Sequence, residues 1–149
     1  MADAFTIKIN GLEELKLALK KSPAITKSQI SRAIALSVGL VNRNAKKEAP
    51  VRTGRLKSGI RSEFNPLFGK VESTVSYGIL VHEGTGPHII RPVKKKALYW
   101  KGAAHPVKLV HHPGTRANPF MKRGSERSEA GVQALFQKAI NNIVIKTAK

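Results

Sequence analysis

The chain has 149 residues, of which 41% are hydrophobic, and its 27 Lys and Arg against nine Asp and Glu give a formal net charge of +18. That length and hydrophobic content predict one folded domain, and the absence of cysteine excludes disulfides, a thiolate nucleophile and cysteine-based metal sites. The positive charge predicts an acidic partner, either nucleic acid or an acidic protein surface.

No segment has the pattern of a membrane or export signal. The longest apolar stretches, such as residues 34–41, are far shorter than the ~20 residues that a membrane-spanning helix needs. Residues 1–5 lack the basic and apolar regions of a secretory signal. We therefore expect no membrane partner, and a chain that is made in a cytoplasm and kept there or packed into something assembled there.

The N-terminal third predicts a strand and two helices. Residues 5–9 alternate apolar and polar side chains, as a half-buried strand does, and Asn10 then caps a short helix. Ser22-Pro23 begins a long amphipathic helix that Ala49-Pro50 ends. Its apolar stripe consists of Ile30, Ile34, Val38, Val41 and Ala45.

The middle of the chain predicts turns and short strands. Residues 51–55 have the composition of a turn, residues 56–64 are expected to be extended, and Asn65-Pro66 is a second break. Residues 71–77 carry the clearest strand alternation, and residues 78–83 can form one helical turn. Short β-prone pieces follow at residues 88–91, 97–100 and 107–111.

The C-terminal end predicts one helix, which Asn118 caps and Pro119 opens. Its apolar face comprises Val132, Leu135, Phe136, Ala139, Ile140 and Ile143. Because strands and helices do not alternate as βαβ units, we predict an α+β fold, with long amphipathic N-terminal and C-terminal helices packed on a small antiparallel sheet. We expect one domain over residues 1–149, with residues 84–114 as a projecting arm in the form of an extended basic loop or hairpin.

Catalysis finds little support in the residue pattern. The nine carboxylates are scattered, and neither a phosphate-binding loop nor a nucleophile elbow is present. His111-His112 followed by Asn118 is faintly similar to a nuclease of the His-Asn-His class, although no histidine follows Asn118. The alternative is that the histidines lie on the surface and charge in mild acid. We expect no enzyme activity, no catalytic residue, no metal site and no cofactor.

The strongest local signal is a long basic stretch. Between Gly84 and Ser125 there is no Asp or Glu, while Tyr99 and Trp100 lie among the basic residues. The two aromatic rings can stack on bases while the cations follow phosphates, or they can anchor a hairpin onto the core. The candidate contacts to DNA or to an acidic partner are Arg91, Lys94, Lys95, Lys96, Lys101, Lys108 and Arg116. A second basic cluster, which is either functional or a solvated turn, comprises Arg52, Arg55, Lys57 and Arg61.

Three segments resemble the signatures of one protein family. Residues 49–60 read APVRTGRLKSGI, residues 75–85 read VSYGILVHEGT, and residues 113–124 read PGTRANPFMKRG. In this order they are similar to the motifs P-x-x-T-G-x-L-x-x-S-I, Y-[AG]-x-x-V-E-x-G-T and P-G-T-x-x-x-P-F-[LM]-x-x-[AG] of small tail-component (neck, tail-completion and head–tail joining) proteins of long-tailed bacteriophages and prophages. Two departures are the additional His82 and a glycine at position 124, where alanine is commoner in the family. The matched positions are Pro50, Thr53, Gly54, Leu56, Ser58, Ile60, Tyr77, Glu83, Gly84, Thr85, Pro113, Gly114, Thr115, Pro119 and Phe120.

The resemblance implies a structural role without catalysis. It implies a virion protein of the head–tail junction, assembled in the host cytoplasm, that joins connector to tail as part of a homo-oligomeric ring. The implied partners are further copies of the chain, other neck, connector or tail-tube proteins, and the phage DNA in the channel. The matched residues are then scaffold positions. The alternative function is that of a basic nucleic-acid-binding protein.

Overall fold

The structure, a computed structural model, describes residue 20 and residues 23–147. The predicted strand at residues 5–9, the helix that Asn10 caps and the Ser22 cap lie outside the described residues. The helices are α1 (Pro23–Glu48), α2 (Arg55–Ser58), α3 (Gly78–Glu83), α4 (Phe120–Glu126) and α5 (Glu129–Thr147). The strands are β1 (Ile60–Asn65), β2 (Phe68–Ser73), β3 (His88–Ile90) and β4 (Val110–His112). Long helices at both ends and short antiparallel strands confirm the predicted α+β class.

The described residues fall into two units. Residues 79–118 form one unit, and the other consists of the residues before Ile79 and from Pro119 onward. Each unit contains one two-stranded antiparallel ladder, which is β1–β2 in the larger unit and β3–β4 in the smaller. None of the described helices is long and apolar enough to cross a membrane. The single domain and the projection of an arm both stay predictions.

Helix α1 provides the surface on which the larger unit is built. Its Ala33 is buried with Val132, Phe136 and Ala139 of α5, and Ile34, Leu40 and Val41 pack against this cluster. The two helices run antiparallel. Asn142 Nδ2 donates to Gln29 Oε1 at one end, and Asn44 Nδ2 donates to Ser128 Oγ at the other. The predicted stripe is therefore the core face of α1, with Ile30, Val38 and Ala45 fully buried.

Helix α4 meets the end of α1 at a glycine. A side-chain carbon at position 124 would lie 2.5 Å from the Cα and 2.6 Å from the backbone nitrogen of Ala45, so the backbones meet where Gly124 has no side chain. Beside this contact, Glu48 accepts a 2.9 Å hydrogen bond from Arg123 Nε and forms a 2.6 Å ion pair with Arg127. The hydrogen bond from Arg123, assisted by the charge of Arg127, lowers the pKa of Glu48 against the opposing effect of burial.

The predicted single C-terminal helix is wrong, because it breaks at Arg127 and Ser128. The Ser128 hydroxyl donates to the carbonyl of Gly124 at 2.6 Å, while the Ser128 backbone nitrogen donates to the carbonyl of Ser125. The serine side chain thus takes the carbonyl that its own amide would use in a continuous helix. The predicted cap is also displaced, since Pro119 rather than Asn118 occupies the N-cap position of α4.

The β1–β2 hairpin packs on α1 and differs from the predicted strands. Residues 66 and 67 form the turn, as Asn65-Pro66 predicts, with Leu67 N donating to Asn65 Oδ1. The strand expected at residues 71–77 instead ends at Ser73. Thr74 N donates to the carbonyl of Gly59, and Gly78 N donates to that of Val75, which turns the chain into α3. The helical turn predicted at residues 78–83 is confirmed.

Replacing Gly124 with alanine tests the close approach of α1 and α4. The new methyl group would overlap the backbone of Ala45, so Gly124→Ala should lower the free energy of unfolding by about 2 kcal/mol. Gly39→Ala is the matched control, because position 39 lies within α1 with no atom within 4 Å of the new carbon. The control should raise stability by about 0.5–1 kcal/mol. Equal effects of the two changes in urea unfolding would contradict the close packing at position 124.

Replacing Glu48 with glutamine tests the ion pairs that hold α4 to α1. Because the folded pKa of Glu48 lies below its ordinary value of 4.5, its stabilising contribution is present above that pH and disappears as the pH falls through the folded value. Glu48→Gln should therefore be less stable than the parent at neutral pH, with a difference that shrinks below pH 4.5. Urea midpoints across that range measure it, and a difference independent of pH would assign the loss to packing instead.

Candidate functional site

The first family signature forms a short helical turn that leads into β1. Gly54 has a φ of +79°, a left-handed conformation that glycine adopts without a side-chain penalty, and Ser58 N donates to its carbonyl at 2.9 Å. The expectation that residues 56–64 are extended is therefore wrong for α2, whereas β1 does begin at Ile60. Leu56 and Ile60 are buried, while Pro50, Thr53 and Ser58 are exposed.

The basic residues beside this turn lie on the surface. Arg52, Arg55, Lys57 and Arg61 are all exposed. The Ser58 hydroxyl donates to the carbonyl of Arg55, a local bond that closes the turn. This exposure suits a solvated turn and a contact surface equally, while the apolar positions Leu56 and Ile60 of the signature are buried in the core.

The second and third signatures meet through their Gly-Thr pairs. Thr85 N donates to the carbonyl of Thr115, and Thr115 N donates to the carbonyl of Thr85, both at 2.9 Å. Thr115 N also lies 3.0 Å from Thr85 Oγ1. Two segments that are 30 residues apart thus form an antiparallel bridge. This bridge closes the smaller unit at its base.

The glycines next to the threonines make that bridge possible. Gly84 and Gly114 have φ values of +78° and +95°. A side-chain carbon at position 84 would lie 2.5 Å from the carbonyl oxygen of Thr115. A side-chain carbon at position 114 would overlap the carbonyl oxygen of Thr85. Each glycine therefore combines a left-handed backbone with contact to the facing strand. The sequence expectation that Gly84 starts the basic arm gains a structural reason here.

Two histidines continue the ladder beyond the bridge. His88 pairs with His112, and their rings stack with centroids 4.9 Å apart. His88 Nδ1 lies 2.9 Å from the carbonyl oxygen of Gly86 and donates to it, because a carbonyl oxygen can only accept. His112 Nδ1 accepts a 3.0 Å hydrogen bond from Gly114 N. Among the described residues, no three His, Asp or Glu side chains lie together where they could hold a metal ion.

The pairing register places three lysines on a bulge. Ile90 pairs with Val110, and the next bridge joins Leu98 to Val107. Seven residues, 91–97, therefore stand opposite only two, 108 and 109. The bulge contains Lys94, Lys95 and Lys96, all exposed, and Arg91, Lys101, Lys108 and Arg116 of the same unit are exposed as well.

The smaller unit has an exposed apolar surface and no core of its own. None of residues 79–118 is buried, and Val93 is 95% exposed. Tyr99 and Trp100 are 68% and 50% exposed, so neither ring is buried. They begin a loop in which Ala103 N donates to the carbonyl of Trp100, with Gly102 at a φ of +103°. Basic and aromatic side chains are thus both accessible in this unit.

The remaining signature residues are divided between core and surface. Phe120 is buried at the start of α4, as expected, and Tyr77 and Glu83 are exposed. The apolar tip of the β1–β2 hairpin is not among the predicted site residues, yet its Phe64, Leu67 and Phe68 are each more than half exposed. The sequence contains a signal for this tip, because three apolar residues flank the turn at Asn65-Pro66.

Comparison of the chain with protein-family models, with curated proteins and with solved structures finds no match. A functional assignment therefore depends on the motifs and on the geometry of the two units. The most distinctive geometry is the Gly-Thr bridge beside the β3–β4 ladder, together with the three exposed lysines of the bulge.

Replacing Gly114 with alanine tests the bridge at the base of the ladder. The methyl group would overlap the carbonyl of Thr85, so the strands should separate there and amide exchange at Thr85 and Thr115 should accelerate at least about tenfold. Gly102→Ala is the matched control, because Gly102 also has a positive φ but has no atom within 4 Å of the new carbon. Equal acceleration by both variants would assign the effect to backbone strain alone.

Proposed function

We propose that the chain is a non-enzymatic structural protein of the phage head–tail junction, located in the virion. The observation that carries this proposal is the convergence of the second and third signatures, whose Gly84-Thr85 and Gly114-Thr115 pairs bond to each other. Motif residues that are 30 positions apart along the chain have a shared role at one bridge. That role is to hold the two ends of residues 86–114 together, which agrees with the scaffold role that the family resemblance implies.

An assembly role also accounts for the composition of residues 79–118. A two-stranded ladder is marginal in water unless it packs against something else. This unit buries none of its residues and exposes Ile89, Val93 and Trp100. Contact with another subunit would remove that apolar surface from water. We therefore assign residues 79–118 to assembly contacts.

The proposed partners follow from the location. A junction on a rotational axis is built from a ring of identical subunits, each contacting its neighbour with two different surfaces. The other partners are connector, neck or tail-tube proteins, with the phage DNA passing through the channel. The seven basic residues of the unit, against one acid, suit an acidic surface on such a protein.

Nucleic-acid binding is a second candidate, favoured by one observation. Tyr99 and Trp100 are exposed within a unit whose bulge carries Lys94, Lys95 and Lys96. Aromatic rings can stack on unpaired bases while lysines neutralise phosphates. In that case the same surface would bind DNA directly, without a protein partner.

Neutralising the lysine bulge distinguishes the two functions. We expect the triple variant Lys94→Gln, Lys95→Gln, Lys96→Gln to lose assembly in a phage lysate that lacks the native chain, with its weak DNA binding unchanged. The control variant carries Lys27→Gln, Lys47→Gln and Lys138→Gln, which remove the same charge from exposed helical positions. It should assemble normally.

The salt dependence of DNA binding tests the second candidate, nucleic-acid binding. For duplex DNA, each lost phosphate contact lowers the slope of log affinity against log salt by about 0.9. A lowered slope with intact assembly would support nucleic-acid binding and contradict the assembly role of the bulge. If neither property changes, the lysines are a solvated surface and the electrostatic argument fails.

A further inference from the structure

We propose that two copies of the chain pair face to face through the outer face of the β1–β2 hairpin. The outer face is the side of the hairpin turned away from α1, and it consists of Arg61, Glu63, Asn65, Phe68, Lys70 and Glu72. The inference does not depend on the head–tail function, because it rests on the charge pattern of this hairpin alone.

Packing against α1 identifies which face of the hairpin is free. Ile60 is fully buried, and Ser62 Oγ accepts a 2.8 Å hydrogen bond from Asn42 of α1. A side chain at Gly69 would overlap Val38 of α1. Side chains alternate along a strand, so the intervening residues form the opposite face. Five of those six residues are exposed, and Glu72 is half-buried.

The outer face carries a regular pattern of opposite charges. The ladder register sets Arg61 opposite Glu72, and Glu63 opposite Lys70. Lys70 also forms an ion pair with Glu72 along the same strand. Each cross-strand row therefore contains one acid and one base, with the order reversed between the two rows. The third row, Asn65 and Phe68, is uncharged.

This pattern is complementary to itself under a two-fold rotation. The rotation axis is parallel to the strands and lies between the outer faces of the two copies. It places β1 of one copy over β2 of the other, and each cross-strand row lies over the same row of the second copy. Arg61 then faces Glu72 of the second copy, and Glu63 faces Lys70 of the second copy. Phe68 faces Asn65 of the second copy, so both apolar tips lie at the same end of the pair. Every charge on the outer face meets an opposite charge.

The distribution of charge indicates that the outer face binds a second copy of the chain, whereas the basic residues 79–118 suit an acidic partner. Two chains of net charge +18 repel one another, and two copies repel each other less where they meet through a surface without excess positive charge. Residues 60–73 carry two bases and two acids, a net charge of zero. At the tip, Leu67 of the turn and Phe68 of the outer face are 71% and 53% exposed. Pairing would bury part of this apolar surface, which supplies the favourable free energy that exposed ion pairs lack.

The symmetry distinguishes this contact from that of a ring. Both copies use the same residues, so the contact is isologous and closes at two chains. A ring of more than two subunits needs two different surfaces on each chain. The proposed pair is therefore a solution dimer whose contact differs from the neighbour contact of an assembled ring.

Reciprocal charge reversal tests the pairing. In a dimer of Glu63→Lys, each new lysine faces Lys70 of the other copy, so two repulsive contacts form. In a dimer of Lys70→Glu, each new glutamate faces Glu63 of the other copy, with the same result. Each variant alone should therefore dimerise at least about tenfold more weakly than the parent in sedimentation equilibrium. An equimolar mixture of the two variants restores both attractions, so it should form heterodimers with an affinity close to that of the parent.

Lys138→Glu is the matched control, because Lys138 is exposed on α5 and the change alters net charge as Lys70→Glu does. It should dimerise at least as well as the parent, since it lowers the repulsion between copies. Circular dichroism checks that each variant is folded, and Leu67→Ser provides a second variant that leaves the charges intact and should also weaken the dimer. A monomeric parent, a larger assembly that Glu63→Lys leaves intact, or a mixture that stays monomeric would each overturn the proposed pairing.

Discussion

The close approach of α1 and α4 is the constraint on which the larger unit depends. Gly124 lets the two backbones meet at Ala45, and Glu48 then lies within reach of Arg123 and Arg127. An acid at the C-terminus of a helix opposes the helix dipole, but two guanidinium groups offset that cost. Because Ser128 ends α4 at this point, α5 can turn back along α1 and bury its apolar face.

The smaller unit is organised on a different principle. Its base is fixed by backbone hydrogen bonds between Thr85 and Thr115, and by two glycines that leave no room for a side chain. Beyond that base, no residue is buried and the lysines lie on a bulge. The same features explain why its apolar side chains are not hidden within the unit itself.

The two units also differ in charge, and this separates two kinds of contact. Residues 79–118 carry seven basic residues and one acid, whereas the β1–β2 hairpin is neutral. A strongly basic surface attracts acidic partners and repels further copies of the chain. A neutral surface with alternating charges has the opposite preference. The positive charge of the whole chain therefore describes only one of its two candidate binding surfaces.

The sequence by itself determined the helices and the turns, whereas the tertiary structure decided the pairings. The spacing of Ile30, Val38 and Ala45 predicts the core face of α1, and Asn65-Pro66 predicts the hairpin turn, because periodicity and turn chemistry are local. Local patterns cannot show that Glu48 meets Arg123, that Thr85 meets Thr115, or that Ser128 breaks a helix with a continuous apolar face. The first two contacts join residues that are distant along the chain, and the third arises because the Ser128 hydroxyl and amide compete for the carbonyl of Gly124. Only the folded backbone brings these groups together.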